Sequence, residues 1–189
     1  MAKLILIGGG THLNSCLEII SENKSLKIIG ILDKIKKDYF YNTKLKFIGK
    51  DKDILKFNFN HAFISIGLIN NYKTRLKLIK FMNDKKIKFK SFIAKKSIIS
   101  NNFIMGNGSI IMKQVVINRN VQIGDHTIIN TGAIIEHDVK IGNNCHISTG
   151  AIINGGTIVE DNSFIGSGAI IANNRRITKN SFIKAGTVF

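Results

Sequence analysis

Few side chains in this sequence could do chemistry. Five histidines and two cysteines occur in 189 residues. One histidine, His137, stands directly before an acid, Asp138, in the run IEHDVKIGNNCHIS, which also contains His146. A histidine beside a carboxylate is a candidate general base. Imidazole titrates near working pH, and a carboxylate partner fixes its tautomer and stabilises the imidazolium. On composition alone, a surface or structural histidine is the plainer reading of the same residues. A second candidate is the turn Gly8-Gly9-Gly10-Thr11-His12, because backbone amides at a helix start suit a phosphate-bearing ligand. Leu13 stands where the dinucleotide fingerprint needs its third glycine, which argues against a full NAD site. Cys16 and Cys145 lie too far apart to read as a ligand pair or a disulfide scaffold, and they point to a reducing cytoplasm. His61 and His126 have no motif around them.

The first half of the chain supplies elements that would hold the glycine turn. Lys3–Gly8 reads as a buried strand and Leu13–Glu22 as a helix, with Leu13, Leu17 and Ile20 on one face. Lys27–Asp33 reads as a second strand ending in an acid, and Ala62–Gly67 as another. A helix from about Asn70 to Met82 and a last strand Ile87–Phe92 complete residues 1–92. Strand, glycine turn, helix, strand and acid make a small parallel α/β sheet, whose ligands sit at the carboxyl ends of the strands. That rule gathers Gly8–His12, Asp33 and Gly67 around one crevice.

The second half is periodic. Every sixth residue from Ile93 to Phe189 is apolar, and fifteen of these seventeen positions are isoleucine or valine. Four residues past each stands a small or β-branched residue, Phe103 and Arg175 excepted. No 3.6-residue helix keeps that register, and a lone strand would not restart every six residues. The pattern predicts a solenoid over residues 93–189 with three short faces and about 18 residues per coil. The aliphatic residue points inwards, the small residue fills the tight corner, and Asn and Gly turn the chain where positive φ is needed. Cys145 falls in the small-residue series and is expected inside the prism.

Lys and Arg number 28 against 12 acids, a net charge of +16. Nineteen basic and seven acidic residues precede residue 93; nine and five follow it. The lysines are scattered and not interleaved with aromatics, so a nucleic-acid interface is not expected. No apolar run approaches the roughly 18 residues of a membrane span.

The two halves together resemble the hexapeptide-repeat sugar O- and N-acyltransferases. These include sialic-acid O-acetyltransferases and the acetyltransferases of nucleotide-linked 4-amino sugars. The likeness is densest in INTGAIIEHDVKIGNNCHISTGAIINGGTIVEDNSFIGSGA, from Ile129 to Ala169, with its EHD core, its CHIS histidine and its FIG-G element. It implies a small Rossmann-like α/β domain over 1–92 that binds a nucleotide sugar. An all-β, left-handed parallel β-helix carrying the acetyltransferase would follow over 93–189. It implies acetyl-CoA as co-substrate and no metal. His137 would be the general base, with Asp138 orienting it. His146 would contact acetyl-CoA, and the backbone around Gly155, Gly166 and Ser167 would wall the pantetheine arm. Gly10, Thr11, His12, Asp33 and Gly67 would hold the nucleotide sugar. It also implies a cytoplasmic homotrimer with each active site between adjacent β-helices, and neither nucleic-acid binding nor membrane insertion. Relatives of this type continue into a tail with a Gly-x-Pro-Ala element, whereas this sequence has no proline. A non-catalytic β-helix binding or assembly module is therefore the alternative. A zinc hydratase on the same helix needs two histidines a few residues apart. His126, His137 and His146 are spaced eleven and nine.

Overall fold

The computed structural model describes residues 1–35, 43–69 and 72–189. The chain begins with β1 (Ala2–Ile7), α1 (His12–Ile20), β2 (Leu26–Leu32), β3 (Phe47–Gly49), a 3-10 turn (Asp51–Lys56), β4 (His61–Ile64) and α2 (Tyr72–Asp84). The four strands form a parallel sheet in the order β3-β2-β1-β4. α2 packs Leu78, Ile79 and Met82 against one face of this sheet. α1 covers the other face with Leu13, Cys16, Ile19 and Ile20.

Two local expectations change, and a third is not tested. The expected helix start at Asn70 lies outside the described residues. β3 is an additional strand: Phe47-Ile48 is a run of only two apolar residues before Gly49, too short to show a period. Ile87–Phe92 is not a strand. Phe89 makes a single bridge to Ala62, and Phe92–Ile93 pairs instead with Ile110–Ile111 of the solenoid. The chain thus leaves one sheet at Phe89 and enters the other at Phe92, so only the two-residue solenoid strand Phe92–Ile93 forms.

From Phe92 the chain winds into a parallel β-helix of two-residue strands. The first face carries Phe92–Ile93, Ile110–Ile111, Ile128–Ile129, His146–Ile147, Phe164–Ile165 and Phe182–Ile183. The second carries Ile98–Ile99, Val116–Ile117, Ile134–Ile135, Ile152–Ile153 and Ile170–Ile171. The third carries Ile104–Met105, Gln122–Ile123, Lys140–Ile141, Ile158–Val159 and Arg176–Ile177. Partners are 18 residues apart, as in Ile129 with Ile147. The inward column of isoleucines and the small corner series, including Ala133, Cys145 and Ala151, form one dry core. Each buried isoleucine contributes roughly 1.5–3 kcal/mol.

The corners show why Asn and Gly recur. Asn120, Asn144, Gly156 and Asn174 have positive φ, whereas Asn118, Asn143, Gly155 and Asn173 do not. His126 and Asp138 occupy the same register and adopt the same conformation, at φ 55° and 61°.

The two parts share a core. Leu4, Leu6 and Phe63 of the sheet and Cys16 of α1 cluster with Phe92, Ile110 and Ile128 on the first solenoid face. Lys113 of the solenoid also pairs with Glu18 at 2.6 Å. Among the described residues, no helix is long and apolar enough to cross a membrane.

Candidate active site

His137 and Asp138 sit on the corner between the second and third faces. The imidazole is exposed, and its Nδ1 lies 2.9 Å from Asp138 Oδ2. A carboxylate only accepts, so this contact places the proton on Nδ1 and leaves Nε2 as the base. Asp138 is held in turn by Asn120 one coil earlier, whose Nδ2 donates to Oδ1 at 2.9 Å. These two hydrogen bonds, that of His137 first, hold the Asp138 carboxyl below the usual carboxylate range. Gly155 lies in the next coil on the same corner. A Cβ there would stand 2.7 Å from His137 Cε1 and Nε2, so the ring rests on bare backbone.

His146 occupies the first face and is 5% exposed. Its Nδ1 lies 2.6 Å from the Leu68 carbonyl, to which it donates, and its Nε2 accepts from Asn130 Nδ2 at 3.2 Å. Burial lowers its pKa to about 4, so the ring is neutral near pH 7. His12 sits with its ring centroid 6.2 Å away. Burial and the Arg75 charge also lower its pKa to about 4.

Two cavities meet here. One, about 660 Å³, lies between the parts and is lined by Thr11, His12, Gly67, His146, Gly166 and Ser167. The other, about 710 Å³, lies at the carboxyl ends of the strands and is lined by Gly10, Thr11, His12, Asp33, Asp51 and Gly67. Thr11, His12 and Gly67 border both, so the crevice opens onto the solenoid face. Asp33 Oδ2 accepts from the Gly9 amide at 2.6 Å, which shapes the glycine turn. The residue that must be glycine there is Gly8: its φ is +104°, and a Cβ would meet Ile66 Cγ1 at 2.2 Å. At Gly10 a Cβ would meet nothing within 4 Å.

The structure therefore brings the expected residues into two groups. Gly10, Thr11, His12, Asp33 and Gly67 converge with His146, Gly166 and Ser167. His137, Asp138 and Gly155 converge elsewhere, across the width of the second face. The three glycine-region residues also differ in kind. Gly166 faces the backbone of the next coil, where a Cβ would stand 2.4 Å from the Ala185 nitrogen. The open backbone is at Gly150 and Gly168, on the corner beside Ser148 and Ser167, where a Cβ would meet nothing within 4 Å. That bare corner adjoins the pocket between the parts, whose lining there includes Ser148, Phe164, Ser167 and Phe182. In the sequence, Asn120 is one of the asparagines that mark turns, and nothing singles out Asn130. The 18-residue offset between Asn120 and Asp138 was the available clue. Among the described residues, no three His, Cys, Asp or Glu side chains are grouped to hold a metal ion.

Residues 3–82 match the family model described as the PglD N-terminal domain, and residues 120–155 match the bacterial transferase hexapeptide model of six repeats. No curated protein matches the chain by sequence. Among solved structures, the chain is similar to a variant of perosamine N-acetyltransferase from Caulobacter crescentus in complex with CoA and GDP-perosamine. The identity is 25%, with 100% of this chain and 89% of that one covered, at a TM-score of 0.90. The acetyltransferase domain of PglB from Neisseria gonorrhoeae, in complex with acetyl coenzyme A, shares the fold at 24% identity, 100% and 90% coverage and a TM-score of 0.90. WeeI from Acinetobacter baumannii shares it at 19% identity, 98% and 95% coverage and a TM-score of 0.59.

Proposed function

We propose that the chain, whose residues 3–82 and 120–155 match the PglD N-terminal and bacterial transferase hexapeptide models, works as a hexapeptide-repeat sugar acyltransferase. On that premise it transfers the acetyl group of acetyl-CoA to an amino or hydroxyl group of a nucleotide-linked sugar in bacterial surface-glycan synthesis. The observation that carries this reading is the exposed His137, with Nδ1 turned to Asp138 and Nε2 left as base. His137 takes the proton from the acceptor as the acceptor attacks the thioester carbonyl; the C–S bond then breaks, and the departing CoA thiolate takes that proton and leaves as the thiol. Asp138, braced by Asn120, stabilises the imidazolium that forms. Residues 1–92 hold the nucleotide sugar, with its phosphates near the start of α1 and its sugar in the cavity beside His146. Residues 93–189 carry the transfer. Acetyl-CoA supplies the acyl group and lies along the Gly150–Gly168 corner, against Ser167.

We propose that the working unit is a homotrimer. One chain keeps His137 and the His146 pocket on opposite borders of the second face. The outward side chains of that face form an aliphatic column of Ile98, Val116, Ile134, Ile152 and Ile170. Three such faces packed around an axis would set the His137 corner of one chain against the pocket corner of the next, and would remove the column from water. Both substrates are cytoplasmic metabolites, and the two free, buried thiols suit that compartment.

The test is CoA release from acetyl-CoA with UDP-, GDP- and dTDP-linked amino sugars, sialic acid and a no-acceptor control. Acceptor-dependent release is expected, about 10²–10⁴-fold slower in His137→Ala with melting temperature and oligomeric state unchanged. Full turnover in that variant would remove His137 as the base. Silence across the panel, together with no binding of acetyl-CoA, would favour a non-catalytic β-helix.

A further inference from the structure

Among the described residues, Arg75 is the largest side chain that is fully enclosed, at 1% exposure. It lies in the first turns of α2, next to Thr74, which lines the nucleotide crevice. Its Nε donates to the Ile66 carbonyl at 3.0 Å. Its Nη1 donates to the His126 carbonyl at 2.6 Å and to Asn144 Oδ1 at 2.5 Å. No ion pair among the described residues includes it. A cation buried without a carboxylate is expensive, and among the described residues this one is held by backbone and amide dipoles at Nε and Nη1, with Nη2 left without a partner. Those dipoles come from both parts of the molecule: Ile66 from the sheet, His126 and Asn144 from one solenoid corner. Asn144 passes the contact on, since its Nδ2 donates to Asn162 Oδ1 at 2.9 Å, and Asn162 Nδ2 donates to Asn180 Oδ1 at 3.1 Å.

The segment that Arg75 grips is the one that borders both cavities. Ile66 is tied to Arg75, Leu68 is tied to His146, and Gly67 between them lines the crevice and the inter-domain pocket. We propose that Arg75 is a positioning residue for transfer: it pins Ile66–Leu68 of the sheet domain to the solenoid. The pin gives a nucleotide sugar held in the crevice a fixed offset from His146, and it keeps His146 in its Nδ1–H form. This inference rests on the transferase reading for its kinetic consequence, but not for its structural one. The groups that face Arg75 are His12 and Cys16 of α1, and His126, Cys145 and His146 of the solenoid. Each is neutral near pH 7, so none of these groups compensates the guanidinium charge, and its field opposes protonation of the three rings.

The experiment compares full-length wild type, Arg75→Met, Arg75→Lys and Asn144→Gly. The last removes one acceptor while keeping a residue that tolerates the left-handed backbone at φ 51°. Three readouts are taken. The His146 tautomer is read from long-range 1H–15N correlations, amide exchange is followed at residues 65–68, and UDP and GDP binding is measured alongside steady-state transfer. A single Nδ1–H form is expected in wild type. In Arg75→Met a tautomer mixture and faster exchange at Gly67 and Leu68 are expected, with intermediate behaviour in Arg75→Lys and Asn144→Gly. Nucleotide binding should stay within about threefold while kcat falls about 10²-fold, the scale of loss for a roughly 1 Å misplacement. An unchanged tautomer and unchanged exchange in the folded variants would overturn the proposal. If Arg75→Met does not fold, Arg75→Lys and Asn144→Gly decide by the same readouts. If wild type transfers nothing, the transferase reading fails, and the tautomer and exchange data still decide the role of Arg75.

Discussion

At the scale of single residues, His137 and His146 occur in one short motif but play different physical parts. His137 is exposed and paired with an acid. His146 is enclosed, neutral and tied by both ring nitrogens. Asn120 matters to the first because it helps keep Asp138 ionised. Asn120→Ala removes one of the two hydrogen bonds that hold the Asp138 carboxyl low, so that pKa rises. Activity in the variant should then begin to fall at a higher pH on acidification, in a kcat/KM profile measured against wild type. The enclosed histidines set a second pH effect. His126 and His146 titrate near 4 in the fold, because burial disfavours their charged form, against about 6.5 in the unfolded chain. Between those values the unfolded chain binds protons that the folded chain refuses. Stability is therefore full above about pH 6.5 and falls as pH drops towards 4, by up to about 1.4 kcal/mol per pH unit for each ring. Urea denaturation at a series of pH values should show this slope. His126→Asn, which keeps a side chain suited to the left-handed corner, should remove about one ring's share.

At the scale of elements, the coil corner is the unit that converts a six-residue pattern into a site. Glycines that look alike in sequence do different work there. Gly155 leaves room for the His137 ring, whereas Gly166 leaves room for the backbone of the following coil. An exposed ring can swing away; a stacked backbone cannot. Gly155→Ala should therefore lower kcat by about tenfold or more through a displaced base, with little change in melting temperature. Gly166→Ala should destabilise the fold by about 1–3 kcal/mol, the range for overpacking. Thermal melts and steady-state rates on the two variants separate these effects.

At the scale of the whole molecule, the second solenoid face is the feature that one chain leaves unresolved. It separates His137 from the pocket it is proposed to serve, and its outward residues are aliphatic. Ile134→Lys places a charge in the middle of that column without entering the inward core, where Ile135 sits. The expected outcome is a shift from trimer to monomer in sedimentation velocity, with loss of transfer and a preserved far-ultraviolet spectrum. A trimer that persists and stays active would move the interface to another face. The shared core under α1 makes the opposite forecast for the two parts of one chain. Leu4, Phe63 and Cys16 pack directly on Ile110 and Ile128, so the sheet and the solenoid should unfold together.

The solenoid was legible because its period is enforced locally. Each coil must bury one large and one small side chain per face, so Ile129, Ala133 and Ile135 declare their places in sequence order. The parallel sheet and its crevice were legible from the glycine turn and from Asp33, since ligands of such sheets gather at strand ends. The short strand Phe47–Gly49 and the handover near Phe89 were not, because two or three residues carry no period. The six-residue period did imply that His137 and His146, nine residues apart, stand on different parts of the prism, but not that the face carrying His146 is the one the sheet domain covers, which rests on the contact of His146 with Leu68. The pairing of Arg75 with Ile66, His126 and Asn144 depends on contacts up to 69 residues distant. Arg75 carries no motif. Only the tertiary placement of α2, on the sheet and within reach of one solenoid corner, decides that Arg75 is enclosed and joins the two domains.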